Sequence, residues 1–178
     1  RKANGCDEED LIVLFLGRVV RDKGVFDAMQ AMTGASRIIP NLRFWMAGPD
    51  EEQNSMALEA VAEANGLNFE YFGKVPETIP YFQAADLLIL PSRREGFGLV
   101  IVEAAACGSL AAARLSAEVK VVDGAAEASL GDAEHGVLMR AARGGVEVVS
   151  HDYVDDMAGT AAGRAVAALL AAAMEFAF

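Results

Sequence analysis

Two stretches of this 178-residue sequence combine cations, glycines and carboxylates in patterns that suit an anionic ligand. The first is Gly17-Arg18 followed by Lys23-Gly24, where two cations share a short segment and the glycines let backbone approach a ligand closely. An isolated Arg and Lys would read more plainly as a solvated basic loop. The second stretch is Pro91-Ser92-Arg93-Arg94-Glu95-Gly96-Phe97-Gly98-Leu99. Gly96 and Gly98 expose backbone N–H groups beside an expected helix N-terminus, a ready place for a phosphate. Glu95 and Glu103 stand eight positions apart, the first before that helix and the second inside it. At the helical rise, Glu103 falls roughly 7–8 Å along the axis from Gly98. A pyrophosphate at the turn would therefore leave a ribose within reach of Glu103, and a carboxylate is a natural acceptor for paired ribose hydroxyls. The plainer reading of Glu103 is an exposed helix glutamate, with Leu99 and Val102 flanking it.

Other phosphate and nucleophile motifs do not complete. Gly96-Phe97-Gly98 begins a GxGxxG, but Ile101 occupies its last position, so the dinucleotide fingerprint fails. From Gly17, Asp22 stands where a Walker loop needs its second glycine. No GxSxG elbow is present, and neither His135 nor His151 sits in a nucleophile setting.

These residues must be positioned by the elements around them. Leu11 to Leu16 is an unbroken apolar run, the pattern of a strand buried on both faces. Val25, Ala28, Met29 and Met32 then fall on one helical face. Leu42 to Ala47 predicts a second strand, and Ala57, Ala60, Val61 and Ala64 repeat the helical spacing on a second helix that Gly66 ends. Phe69 to Phe72 and Leu87 to Leu90 are further strands, with a short helix around Pro80 to Ala85 between them. A helix from Leu99 to Cys107, a weak strand at Leu110 to Ala113 and another at Gly136 to Met139 complete the pattern. Strands alternating with helices predict an α/β fold, an open doubly wound parallel sheet of about six strands. Such sheets take ligands beyond the carboxyl ends of their strands, where strand order reverses. The loops after Leu16, Ala47, Phe72 and Leu90 are therefore the places to expect a site.

Composition narrows the partners. Fifteen Lys and Arg against 26 Asp and Glu give a net charge of −11, which disfavours a nucleic-acid polymer or an anionic membrane surface. An anionic ligand must then be held locally, over a screening length of about 8 Å. Cys6 and Cys107 are far apart and outside any CxxC pair, so no metal site is expected, and sparse cysteine suits a cytoplasmic setting. The Ala-rich tail at residues 161–178 is interrupted by Arg164 and Glu175 and predicts a packed helix, with no transmembrane segment.

Together these features resemble the donor-binding, C-terminal half of a GT-B glycosyltransferase of the family-4 retaining group (glycosyl transferases group 1). The ordered matches are GR-x4-KG at residues 17–24, AG at Ala47-Gly48, FGKV at residues 72–75, and AADLLILPSRREGFGLVIVEAAACG at residues 84–108, which carries the E-x7-E pair Glu95 and Glu103. They cover roughly the first 108 residues.

The resemblance implies a Rossmann-like fold and transfer of a sugar from a nucleotide diphosphate donor, with retained anomeric configuration, in glycan biosynthesis. It implies that Arg18 and Lys23 hold the diphosphate and neutralise charge as the nucleotide leaves. Glu103 would accept the ribose hydroxyls. Glu95, with the backbone of Gly96, Phe97, Gly98 and Leu99, would hold sugar and phosphate. Gly17 would shape the first loop, and Gly73, Lys74 and Val75 would line the base. No metal and no cofactor beyond the nucleotide-sugar substrate are implied. The acceptor, whether glycan, lipid or small molecule, would bind an N-terminal domain expected to be missing here, so residues 1–178 are read as a single donor-binding domain with little transfer activity alone.

After Gly108 the sequence departs from the pattern. Ser109 to Ala113 replaces a small-Pro-Val-Val strand, and Leu115-Ser116-Ala117-Glu118 lacks the usual glycine. Two other readings compete: a non-catalytic nucleotide-sugar-binding module of the same fold, and a Rossmann oxidoreductase, which Ile101 and the want of a proton-transfer residue disfavour. The presence of both cations and both glutamates favours the enzyme.

Overall fold

The computed structural model describes residues 1–92, 99–107, 110–122, 125–142 and 145–148. β1 (Leu11–Leu16), β2 (Leu42–Ala47), β3 (Asn68–Tyr71) and β4 (Leu87–Leu90) form the parallel centre of the sheet, interleaved with α1 (Val25–Ser36), α2 (Ser55–Asn65) and α3 (Ile79–Ala84). α4 (Leu99–Ala106) follows β4, and β5 (Leu110–Val122) pairs parallel to β4. The spatial order is β3-β2-β1-β4-β5, continued by β6 (Ala125–Ala142) and β7 (Gly145–Val148).

β1 and β4 read as continuous apolar runs because both faces are covered. Ile12, Val13, Leu14 and Phe15 are fully buried, as are Leu87 to Leu90 within a few per cent. α1 presents Val25, Ala28, Met29 and Met32 to this core, as its periodicity predicts. β3, at the sheet edge, alternates instead, with Asn68 and Glu70 exposed and Phe69 and Tyr71 half-buried. A charge such as that of Glu70 blunts an open edge.

The opposite end of the sheet is tied by charges. The Asp86 carboxylate accepts the Ile12 N–H at 2.8 Å and pairs with Arg1, whose Nε donates to the Ala84 carbonyl at 2.9 Å. Asp10 meets Arg43 Nε at 2.6 Å. These contacts fix the amino-terminal ends of the strands and leave the carboxyl-terminal ends to the loops.

Two expectations are corrected. The predicted α2 face of Ala57, Ala60, Val61 and Ala64 is exposed, and Leu58 and Ala62 are the buried pair. A stripe of alanines offers little apolar area, so the one leucine in the helix sets which face turns inward. The all-parallel sheet holds through β5, but β6 runs antiparallel to β5 and β7 antiparallel to β6. Only Asp123 and Gly124 separate β5 from β6 in the sequence. A parallel return needs a crossover of a dozen residues or more, whereas two residues suffice for a hairpin, and Asp-Gly is a favoured pair there. The predicted strand at Gly136 to Met139 is thus part of the longer β6. The tail helix proposed for residues 161–177 lies outside the described residues.

Candidate functional site

Strand order reverses between β1 and β4: β2 and β3 lie to one side, β5 to the other. In the sequence, the cations follow β1 and the glycine-rich segment follows β4. At the carboxyl edge, Gly17 donates its N–H to the Ala47 carbonyl at 3.0 Å, and Gly48 donates to the Gly73 carbonyl at 2.8 Å. Gly48 has φ 142°, and a Cβ there would lie 1.8 Å from the Gly17 carbonyl oxygen. The Tyr71 hydroxyl donates to the Gly48 carbonyl at 2.8 Å. Gly17, Gly48 and Gly73 thus make a ledge of bare backbone across the ends of β1, β2 and β3. Burial raises the Tyr71 phenol above its ordinary pKa, and the nearby carboxylates of Asp50 and Glu59 push the same way.

Beyond the ledge, the β1–α1 loop is clamped to the β2–α2 loop. Val19 donates its N–H to the Pro49 carbonyl at 2.8 Å, and the buried Asn54 side chain returns Nδ2 to the Val19 carbonyl at 3.0 Å. Arg21 donates its N–H to Glu52 Oε2 at 3.1 Å, while its guanidinium stacks 4.7 Å over the Phe26 ring. Glu52 also accepts Asn54 Nδ2 at 3.0 Å. That side-chain hydrogen bond from Asn54, with the Arg21 amide, lowers the Glu52 carboxyl below its usual range. Asp50 accepts the N–H groups of Asn54 and Ser55 at 2.9 and 2.8 Å, satisfying the start of α2. Desolvation pushes Asp50 up, but the hydrogen bonds of Ser55, Asn54 and Glu52 outweigh it and hold the carboxyl low.

Arg18 projects from this clamped loop, exposed, with Nη1 3.2 Å from Glu51 Oε2. Lys23 ends a 3-10 turn, Arg21–Lys23, and is half-buried. Gly24 follows in the left-handed region at φ 71°, and a Cβ on it would stand 2.1 Å from the Pro91 carbonyl oxygen. Ser92, buried, directs Oγ to the Asp22 carbonyl at 3.5 Å. The cationic loop and the start of the 91–98 segment are therefore packed backbone to backbone at the switch point.

The remaining predicted residues divide. Leu99 is 70% exposed at the start of α4, and Glu103 is exposed further along it. Helix α4 is anchored beneath them by the buried Ile101 and Ala104. Lys74 is exposed and Val75 half-buried after Gly73. Glu95, Gly96, Phe97 and Gly98 lie outside the described residues. Sequence reasoning missed the supports. Phe72 stacks edge-on with Trp45 (5.3 Å between centroids) and Tyr81 (5.0 Å), which seats the Gly73 loop on β2 and α3. It also missed Asp50, Glu51, Glu52 and Asn54, although adjacency of β1 and β2 would have placed their loops side by side. Cys6 and Cys107 are free thiols. Among the described residues no helix is long and apolar enough to cross a membrane.

A sheet edge of bare glycine backbone with the exposed Arg18 beside its switch point can receive a phosphate-bearing ligand. Known proteins are similar to this chain in sequence and in fold. A D-inositol 3-phosphate glycosyltransferase of Mycobacterium sp. (strain KMS) is 34% identical over 133 residues, 70% of this chain and 29% of the relative. The chain thus spans less than a third of the length of that curated relative. Among solved structures, WaaG, a glycosyltransferase involved in lipopolysaccharide biosynthesis, is 27% identical with a TM-score of 0.56, over 62% of this chain and 30% of WaaG. Anabaena Alr3699/HepE, solved in complex with UDP and glucose, is 25% identical with a TM-score of 0.55, over 62% of this chain and 31% of HepE. Residues 1–117, which contain β1 to β4 and both loops of the switch point, match the glycosyl transferases group 1 family, and the chain belongs to it.

Proposed function

We propose that this chain is the donor-binding part of a retaining, family-4 glycosyltransferase that moves a sugar from a nucleoside diphosphate to an acceptor in glycan biosynthesis. The observation that carries this reading is the contact of Gly24 with Pro91, which closes the cationic loop onto the segment leading to Glu95 and Gly98. Arg18 and Lys23 take the diphosphate, and their positive charge stabilises the departing nucleotide as the glycosidic bond to phosphate breaks. Glu103 accepts the ribose hydroxyls. Glu95 and the amides of Gly96, Phe97, Gly98 and Leu99 hold the sugar and the distal phosphate. Gly17, Gly73, Lys74 and Val75 border the phosphates and base. The diphosphate is neutralised by side chains and amides, so neither metal nor cofactor is assigned.

The relatives' names differ, one being a D-inositol 3-phosphate glycosyltransferase and another a glycosyltransferase involved in lipopolysaccharide biosynthesis. The acceptor side of the reaction is accordingly assigned to no residue of this chain, and turnover by these residues alone is expected to be low. The donor reaction is placed in the cytoplasm. A thermal-shift screen tests the reading: some of UDP, GDP and ADP should raise the melting temperature, while NAD should not. Stabilisation by NAD alone would return the chain to the oxidoreductase class.

A further inference from the structure

The cation proposed to meet the diphosphate already has an anion on it. Arg18 Nη1 lies 3.2 Å from Glu51 Oε2, and the two side chains are 55% and 56% exposed. A pair this open to water is easily broken. It is also not what holds the loop, because the backbone beneath is fixed by Val19 to Pro49, Asn54 to Val19 and Arg21 to Glu52. Asp50 and Glu52, on either side, spend their carboxylates on amides of Asn54, Ser55 and Arg21. Glu51 alone of the three is turned to the guanidinium. A carboxylate offers Arg the same acceptor chemistry as a phosphate oxygen, with less charge.

We propose that Glu51 is an internal competitor at Arg18: it occupies the guanidinium in the unliganded protein, and a diphosphate must displace it to bind. Glu51 thereby sets how much charge a ligand needs at this position, favouring a diphosphate over a less charged anion. The inference rests on the proposed role of Arg18 and adds a specificity-determining residue to it. No bond is made or broken; one acceptor replaces another. The alternative role, in which Glu51 orients Arg18 toward the ligand, has the opposite sign.

Calorimetric titration separates them, using whichever of UDP, GDP and ADP binds the intact chain most tightly. Glu51→Gln should tighten binding about two- to five-fold, the scale of an exposed ion pair, and Glu51→Ala should do the same. Arg18→Ala should weaken binding, and in that background Glu51→Gln should have no further effect. Unchanged or weaker binding by Glu51→Gln overturns the proposal. So does an equal gain in the Arg18→Ala background, which would mark a general field effect rather than competition at the guanidinium. If Arg18→Ala leaves affinity intact, or none of the three nucleotides binds, it is the donor-binding reading itself that fails, and the two failures are distinguishable.

Discussion

Gly24 and Pro91 touch through their backbones, so closely that a Cβ on Gly24 would stand 2.1 Å from the Pro91 carbonyl oxygen. The contact joins the loop after β1 to the loop after β4 across the point where strand order reverses. Gly24 is also left-handed at φ 71°, so an alanine there is strained before it clashes. Gly24→Ala is expected to lose about 2–4 kcal/mol of stability, read by urea denaturation. A loss under about 0.5 kcal/mol would mean that the two loops are not held together at this point.

Glu103 is exposed on α4, so its removal should cost the fold little, within about 0.5 kcal/mol. Glu103→Ala should nevertheless weaken nucleoside diphosphate binding about ten-fold, the value of a hydrogen-bonded charge. Calorimetry with melting curves on the same samples checks both halves. Equal affinity in variant and parent would remove the ribose role.

Asp50 makes stability depend on acid. Its folded-state pKa is lowered by hydrogen bonds from Ser55 and Asn54 that outweigh desolvation. The stabilisation is therefore present above the unfolded carboxylate pKa and lost as pH falls through the lower folded value. Asp50→Asn should cost about 1 kcal/mol at neutral pH, the difference between a charged and a neutral acceptor at the start of a helix, and the gap between variant and parent should narrow as pH falls below the ordinary carboxylate range. A gap independent of pH, in paired thermal melts, would contradict this.

Tyr71 acts at the alkaline end. Burial, with Asp50 and Glu59 nearby, raises its phenol, so the folded protein resists its ionisation. Its contribution is whole below the unfolded tyrosine pKa and is lost as pH rises through the folded one. An ultraviolet titration should contain a late phenolate component that Tyr71→Phe removes. The same substitution should cost about 1 kcal/mol for the hydrogen bond to the Gly48 carbonyl.

What the sequence made legible follows burial. β1, β2 and β4 are dense apolar runs closed by Gly17, Gly48 and Pro91, and their bounds were read directly. α2 was misread because alanine counts as apolar in a periodicity yet contributes little area, so Leu58 decided the face. The Asp123-Gly124 pair is a hairpin signal in the sequence that the α/β rhythm of the first 108 residues overrode. At the candidate site, the cations and Glu103 stand out in the sequence by type and spacing. The acidic clamp does not, because Glu51 and Glu52 act on Arg18 and Arg21 about thirty residues away, through strand adjacency rather than motif.

A nucleoside diphosphate is expected to land on the carboxyl edge at the β1/β4 switch point. Backbone amide chemical-shift mapping, with the best-binding nucleoside diphosphate added to the isotope-labelled chain, tests it most directly. The largest shifts should fall at Gly17, Arg18, Gly24 and Gly73, with Glu103 on α4 following. The groove on the sheet's flank lined by Phe26, Met29, Thr33 and Val61 should stay silent. Shifts concentrated in that groove, with the glycine ledge unmoved, would contradict it.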